Sequence, residues 1–255
     1  MEKKIIYYKD ELNDEFSSAK IKPIIIDEKY KYKHNILWDL CSFVLQNFLS
    51  QPIKILYSKI KFQHKIVGKE KFKKCKDLGY FIYVNHTQEF ADTFLPSLAN
   101  YPKRNFFIVN PENISMKGLR HLVEFLGAIP VPGNIKSTKN FKEEIAHHIQ
   151  KKHSITIYPE AHIWPYYTKI RPYKSVSFKY PVELNAPIYT ITNTYSLTKN
   201  KKVQITSYVD GPFYADEAIY KKEAQEKLRN LAFATMCKNS KKSTYEHFRY
   251  VRVEV

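Results

Sequence analysis

Hydrophobic and polar residues follow one another along this chain in blocks that predict alternating strands and helices. Short apolar runs predict buried strands at YFIYVN (80–85), NFFIVN (105–110) and SITIYPE (154–160). The other blocks predict helices at about 89–99, 115–127, 138–151, 175–184 and 216–238, a short strand at 128–132, and strands at 187–195 and 203–213. This order predicts an α/β fold, a layered domain with a mixed, partly parallel sheet flanked by helices.

The most apolar stretch of the chain, NILWDLCSFVLQNFLSQPIKILY, lies N-terminal to these blocks. Its uncharged part is shorter than the roughly 20 residues that cross a bilayer. Polar residues recur at steps of three and four, which predicts an amphipathic helix over 36–50 with Trp38, Phe43 and Phe48 on its wide apolar face. The aromatic content and the lysines that follow favour a helix lying in the membrane interface, and packing as a core helix is the alternative.

The net charge and the cysteine content indicate which partners and which cellular compartment to expect. The 42 Lys and Arg against 25 Asp and Glu give a net charge of +17, which attracts anionic lipid, coenzyme A phosphates, acidic carrier proteins or nucleic acid. A solvated lysine-rich surface is the alternative reading of this charge. No RNA- or DNA-binding signature is present, so nucleic acid is not expected as a partner. Three scattered cysteines and a charged start indicate a reducing cytosol rather than secretion.

Candidate chemistry appears at the ends of two predicted strands. VNHTQEFAD places His86 at a strand end, with the carboxylates of Glu89 and Asp92 shortly after it, and a histidine held by an acid is suited to act as a general base. A loop histidine bonded to backbone is the alternative. IYPEAHIW places Glu160 at the end of the third strand, where a turn acid that caps the next segment is the alternative. Ligand sites of such sheets lie at the carboxyl ends of strands, which is where both residues fall.

Four short blocks, taken together, carry a family resemblance over roughly residues 60–240. They are Asn-His…Asp, Gly-Ala-Ile-Pro-Val after a helix, Tyr-Pro-Glu after a strand, and Ala-Pro-Ile-Tyr. Their order resembles the glycerol-3-phosphate and 1-acylglycerol-3-phosphate (lysophosphatidate) acyltransferase family, whose pattern is Asn-His-x4-Asp, an Ile-rich block, Phe-Pro-Glu-Gly-Thr-Arg and Val-Pro-Ile. The first and third blocks are the specific ones.

The resemblance implies an O-acyltransferase that moves a fatty acyl group from acyl-CoA or acyl carrier protein to a hydroxyl of a lysophospholipid or related glycerolipid. His86 matches the family's catalytic base and Glu160 its acceptor-site residue. The family uses no metal, no further cofactor and no covalent acyl-enzyme. A place in phospholipid biosynthesis follows from the same resemblance.

Two departures from the family pattern leave alternatives open. Five residues instead of four separate His86 from Asp92, so Asp92 is favoured as its orienting acid and Glu89 remains the second candidate. The third block has Ile163 where the family has Arg. Either other cations bind the acceptor phosphate or the acceptor is not a phosphomonoester. Lys169, Arg171 and Lys174 follow this block and are candidates for that charge, with an ordinary basic loop as the alternative. His162 is a candidate to donate a hydrogen bond to the acceptor, with a turn histidine as the alternative.

These inferences predict two parts of the chain. Residues 1–57 form an N-terminal arm with an amphipathic membrane-interface helix, and residues 58–255 form the acyltransferase domain. The expected location is cytoplasmic and peripheral, on the inner face of an anionic membrane. A non-catalytic lipid- or membrane-binding protein that retains the fold is the alternative function, motivated by the two departures.

Overall fold

The computed structural model describes residues 3–17 and 21–253. Within them the strands are β1 (Ile5–Tyr8), β2 (Lys65–Val67), β3 (Tyr80–Val84), β4 (Asn105–Val109), β5 (Ala128–Pro130), β6 (Ser154–Ile157), β7 (Ile188–Leu197), β8 (Val203–Phe213) and β9 (Arg249–Arg252). The α-helices are α1 (Ile36–Val44), α2 (Ser50–Phe62), α3 (Leu95–Asn100), α4 (Arg120–Phe125), α5 (Thr138–Gln150), α6 (Lys179–Glu183) and α7 (Lys221–Ser240). A π-helical segment, Leu45–Leu49, joins α1 to α2.

The main sheet has the strand order β2-β8-β7-β3-β6-β4-β5. Neighbouring strands run parallel except for the antiparallel pair β7 and β8. β3 lies between β6 and β7, and all five of its residues are buried, because a central strand with helices on both faces must be apolar throughout. The predicted α/β fold with a mixed, partly parallel sheet and an N-terminal helix is therefore confirmed.

Side chains of β3 alternate between the two faces of the sheet and anchor two layers of the core. Phe81 and Tyr83 belong to the cluster that packs beneath α5 and α7. Tyr80, Ile82 and Val84 belong to the cluster on the opposite face. Packing on both faces of the sheet holds the carboxyl end of β3 in a fixed position. The motif that contains His86 begins at this end.

Several predicted boundaries differ from the structure. The predicted helix 89–99 is a loop, a 3-10 turn at Ala91–Thr93 and the short α3. The predicted helix 115–127 is reduced to α4, and β6 ends at Ile157 rather than at residue 160. β1 and β9 were not predicted; they pair in parallel as a separate two-stranded sheet. Each is four residues long and its partner lies at the other end of the chain, so no local pattern marks them.

The helical segment from Ile36 to Phe62 lies on the domain with its polar side inward. Ser42 Oγ and Gln46 Nε2 donate hydrogen bonds to the Phe125 carbonyl at 2.7 and 3.1 Å. Trp38, predicted on the wide apolar face, instead stacks on Phe125 with ring centroids 3.9 Å apart, which corrects that prediction. The side chains that face outward are Ile36, Leu37, Leu40, Phe43, Val44, Phe48, Leu49, Ile53, Ile55, Leu56 and Ile60.

The helix also extends past its predicted end at residue 50, to Phe62. The predicted boundary between residues 57 and 58 therefore falls inside α2, and the division into an arm and a domain stays a prediction. In the described ranges, no helix combines the length and the apolar character that crossing a bilayer requires. The outward apolar face is thus a surface feature of a helix that packs on the domain.

Candidate active site

The site is built where β3 and β6 end. These strands are parallel neighbours, so the segments after Val84 and Ile157 emerge at the same edge of the sheet. Asn85 fixes the first segment, because its side-chain amide donates to the Asn193 carbonyl at 3.1 Å and accepts from the Asn193 N–H at 2.8 Å. His86 follows directly and projects from a backbone that is tied to β7.

His86 and Asp92 form a hydrogen-bonded pair. The His86 Nδ1 lies 2.8 Å from Asp92 Oδ2, and this oxygen also accepts the backbone N–H groups of Thr87 and Gln88 at 2.8 and 2.9 Å. Because a carboxylate oxygen with three such neighbours can only accept, Nδ1 carries a proton and Nε2 of the neutral ring keeps its lone pair. The Asp92 side chain is 2% exposed and that of His86 is 18% exposed, so the ring edge reaches solvent while its partner does not.

The loop between His86 and Asp92 accommodates the extra residue. Residues 85–90 are not helical, and the first turn after them is the 3-10 segment that contains Asp92. A non-helical path of six steps can bring the two side chains together where a regular helix would rotate them apart. Glu89 is exposed and forms no ion pair with any residue of 3–17 or 21–253, so Asp92 alone of the two acids contacts the imidazole.

Tyr158 contacts both members of the pair. Its ring stacks on the imidazole with centroids 4.2 Å apart and an interplanar angle of 24°, and its hydroxyl donates to the main-chain carbonyl of Asp92. This contact restricts the ring of His86 from the side that faces β6. The only sign of this role in the sequence is an aromatic residue directly before the Pro-Glu pair.

Glu160 is buried at the edge of the site, between the His86 backbone and Arg171. Its Oε2 accepts the His86 backbone N–H and its Oε1 accepts the Arg171 backbone N–H, each at 2.8 Å. The side chain is 1% exposed, and burial raises the pKa of the carboxyl while Arg171 and the two backbone donors oppose this rise. Each oxygen accepts a backbone N–H, so Glu160 joins the third block to the His86 segment, and its role at the acceptor site stays a prediction.

Arg171, predicted to bind an acceptor phosphate, is buried as well. Its guanidinium donates to the main-chain carbonyls of Glu11, Glu160 and His162 and lies 4.9 Å from the Trp164 ring. Burial lowers the pKa of this group. With 1% of its side chain exposed, Arg171 joins the loop to the N-terminal arm and presents no exposed donor to a phosphate.

Two clefts lie near His86. The first, of about 480 Å³, opens beyond the carboxyl ends of β4, β5 and β6, and we name it the strand-end cleft. Its apolar lining includes Ile108, Val131 and Phe141, and Tyr158, His162 and Lys174 also lie on it. Lys169 is exposed but lines neither cleft.

The second cleft, of about 330 Å³, lies against residues 87–90, and we name it the loop cleft. It is lined by Lys4, Ile6, Phe16, Tyr57, Lys61, Thr87, Gln88, Glu89, Phe90, Pro165, Tyr166 and Phe248. A larger cleft, of about 580 Å³, lies beside Tyr80 and Lys103 at the amino end of β3, away from His86. The position of the His86–Asp92 pair, and not cleft size, therefore marks the candidate site.

A second group of titratable side chains lies apart from this site. Glu144 bridges two imidazoles, accepting or sharing protons with His34 Nε2 at 2.6 Å and His148 Nε2 at 3.0 Å. His153 lies beside them, with its Nδ1 3.2 Å from that of His148. Across the part of the chain that the structure describes, no group of three or more His, Cys, Asp or Glu side chains is arranged to hold a metal ion.

The described residues thus form a mixed α/β sheet with a carboxylate-held histidine at the carboxyl end of its central strand. A sequence model of the family described as Acyltransferase matches residues 63–194, just over half of the chain, and the chain belongs to that family. The predicted family is thereby confirmed. Acyltransferases of this family take an acyl donor and a lipid acceptor.

A solved structure supports the same fold. The crystal structure of the 1-acyl-sn-glycerophosphate (LPA) acyltransferase PlsC from Thermotoga maritima is similar to this chain, with a TM-score of 0.53 and 13% sequence identity. The similarity covers 83% of this chain and 98% of that one. No curated protein matches the chain by sequence.

Proposed function

We propose that this acyltransferase moves a fatty acyl group from an acyl-CoA or acyl carrier protein thioester to a hydroxyl of a lysophospholipid or related glycerolipid. The observation that carries the proposal is the 2.8 Å contact between His86 Nδ1 and Asp92 Oδ2 at the carboxyl end of β3. The contact leaves Nε2 as the basic atom of a ring whose orientation is fixed.

The reaction needs only this base and the two substrates. Nε2 of His86 takes the proton of the acceptor hydroxyl as its oxygen attacks the thioester carbonyl carbon. The tetrahedral intermediate collapses with cleavage of the carbon–sulfur bond, and the thiolate leaves with the proton that the imidazolium held. Asp92 stabilises the imidazolium between these two steps, because its buried carboxylate lies against Nδ1.

The strand-end cleft suits the acyl donor. Its walls at Ile108, Val131 and Phe141 are apolar, as a fatty acyl chain requires. Lys174 and His162 lie on the same cleft and offer donors to phosphates of coenzyme A or of a carrier-protein prosthetic group. In this proposal the acyl chain occupies the cleft and the thioester carbon lies near His86.

The outward face of α1 and α2 supports binding to a membrane surface as a peripheral protein. Leu40, Phe48 and Leu56 on this face are 56%, 58% and 62% exposed, whereas Ser42 and Gln46 point into the domain. Soluble proteins rarely expose a contiguous apolar patch without a partner, and the charge of +17 favours anionic headgroups around it. We place the protein in the cytoplasm, on the inner face of the membrane.

An acyl-transfer assay with purified protein tests the proposal. Wild type, His86→Ala and the surface control Asp77→Asn are incubated with a radiolabelled acyl thioester and lysophospholipids in mixed micelles. We expect product from wild type and the control, and a loss of about 10²- to 10⁴-fold in kcat for His86→Ala. Equal activity of wild type and His86→Ala would eliminate His86 as the base, and no product from either protein would favour a lipid-binding protein that retains the fold.

A further inference from the structure

The loop cleft carries a pattern of charges that the proposed chemistry does not use. Three elements contribute a charged side chain: Lys4 comes from the segment before β1, Lys61 from α2 and Glu89 from the loop after His86. All three are exposed. Lys61 Nζ donates to the Tyr57 hydroxyl at 3.1 Å and lies 5.3 Å from the ring centroids of Tyr57 and Phe62. The cleft therefore holds two cations and one carboxylate.

Aromatic rings form much of the remaining wall. They are the side chains of Phe16, Tyr57, Phe90, Tyr166 and Phe248. Phe90 packs edge-on against Tyr57 with centroids 5.5 Å apart, and Phe90 is 60% exposed. Aromatic faces attract ammonium groups, most strongly where a carboxylate is near. The same cleft thus offers donors for an anion and a separate environment for a cation.

The position of the cleft fits the headgroup of the acceptor. Thr87 and Gln88 line it directly after His86, so a bound headgroup would hold the neighbouring glycerol hydroxyl close to the base. On α2, Leu56 and Ile60 are exposed next to Tyr57 and Lys61, and they belong to the face proposed to contact lipid. A lysophospholipid can therefore keep its tail at the membrane while its headgroup enters the cleft.

The absence of the arginine that the family has in the third block indicates which kind of headgroup the cleft would bind. Ile163 occupies the family's Arg position, and Arg171 is buried among backbone carbonyls, so neither can bind a phosphate here. A phosphomonoester carries close to two negative charges at neutral pH, and Glu89 would repel them. A phosphodiester with a terminal ammonium carries one charge of each sign, so it offers an anion to the lysines and a cation to Glu89.

We propose that the loop cleft binds a zwitterionic lysophospholipid headgroup of the phosphoethanolamine or phosphocholine type. Lys61 and Lys4 bind the phosphate, and Glu89 with the aromatic rings binds the ammonium group. The inference rests on the proposed acyl transfer for the use of the bound lipid, and it assigns Glu89 to acceptor selection.

Acceptor competition tests the assignment. Wild-type kcat/KM is compared for lysophosphatidylethanolamine, lysophosphatidylcholine and lysophosphatidate with the same acyl chain. We expect a preference of about tenfold or more for a zwitterionic acceptor, and we expect Glu89→Gln to reduce that preference by about tenfold. Lys61→Met should lower kcat/KM for all three acceptors. Glu70→Gln and Lys73→Met, which change exposed residues outside the loop cleft, serve as matched controls.

Two results would overturn the headgroup assignment. One is a wild-type preference for lysophosphatidate or equal use of the three acceptors. The other is a preference for zwitterionic acceptors that Glu89→Gln leaves unchanged. Acyl transfer in either case would leave the proposed function standing, because product formation itself does not depend on which headgroup is preferred.

A binding measurement tests the headgroup assignment independently of acyl transfer. His86→Ala protein is titrated calorimetrically with glycerophosphoethanolamine and with glycerol 3-phosphate. We expect tighter binding of the zwitterion and a loss of about tenfold on adding Glu89→Gln. Binding that follows this pattern, together with no acyl transfer by the wild-type protein, would keep the cleft assignment and reject the enzymatic one. Equal binding of both probes would reject the cleft assignment.

Discussion

The Asp92→Asn variant isolates the charge of the acid that holds His86. The amide oxygen of Asn can still accept the backbone N–H groups of Thr87 and Gln88, which donate to Oδ2 at 2.8 and 2.9 Å. These two donors oppose a turned amide, since its NH2 group would face them. The oxygen therefore stays next to Nδ1 and the tautomer of His86 is preserved. What the variant removes is the negative charge beside the imidazolium.

The size of this effect follows from the distance and the burial. Unit charges about 4 Å apart attract by about 4 kcal/mol at an effective dielectric constant of about 20. The His86 side chain is 18% exposed and that of Asp92 is 2% exposed, so solvent screens part of the attraction. About 2–4 kcal/mol of imidazolium stabilisation should be lost, which corresponds to a fall in kcat of about 30- to 1,000-fold. The acceptor KM should change little, because Asp92 is buried behind the ring.

Steady-state kinetics of acyl transfer, with Asp77→Asn as the matched exposed control, measure this effect. Thermal unfolding of each variant shows that the fold is retained. The Asp92 Oδ1 atom is buried without a partner in residues 3–17 and 21–253, so the new NH2 group should cost about 1–3 kcal/mol of unfolding free energy. A folded Asp92→Asn protein with wild-type kcat would refute the assignment of Asp92 as the stabilising acid.

Three further predictions concern stability and membrane binding. Glu160→Gln should lower the free energy of unfolding in urea by about 3 kcal/mol, because it places an amide NH2 against a backbone donor and leaves Arg171 buried without its counter-charge; unchanged stability would contradict this. Leu40→Ser with Leu56→Ser should weaken sedimentation with anionic vesicles by about tenfold or more without lowering the melting temperature, and unchanged binding would exclude this face as the membrane contact. Burial lowers the pKa of His153 from 6.5 to about 3. At pH 5 the unfolded chain therefore binds a proton at His153 that the folded chain does not, so this residue should lower the free energy of unfolding by about 2 kcal/mol relative to pH 8, and His153→Gln should reduce the loss between the two pH values by about that amount.

The sheet was predictable because its central strands are buried on both faces. Tyr80–Val84 and Asn105–Val109 are short apolar runs bounded by turn residues, and a pattern of that kind has few other interpretations. The small sheet was not predictable, since β1 and β9 become strands only by pairing with each other across almost the whole chain. Their local sequences carry no period that distinguishes them from loop.

The pairing within the site was predictable only as a choice between two acids. The sequence shows Glu89 and Asp92 near His86, and a helical path would have favoured Glu89, three residues on, over Asp92, six residues on. Asp92 is the partner of His86 because of the conformation of the loop. The N–H groups of Thr87 and Gln88 both donate to Asp92 Oδ2, the oxygen that also contacts the imidazole. Such convergence of backbone donors is a property of the folded turn and leaves no mark in residue type.

Polar residues at helical spacing predicted an amphipathic helix, but the direction of its faces required the structure. A stripe of Ser42, Gln46 and Ser50 normally faces water, and here it is buried. The stripe is stabilised because carbonyl oxygens at the end of α4 need donors, which Ser42 and Gln46 supply at Phe125. Because the polar side of the helix packs on the domain, its apolar side points away from the domain. No other part of the described chain covers that apolar side. The burial of the polar stripe and the exposure of the apolar face are therefore the strongest physical reason to expect a lipid surface as the partner of this helix.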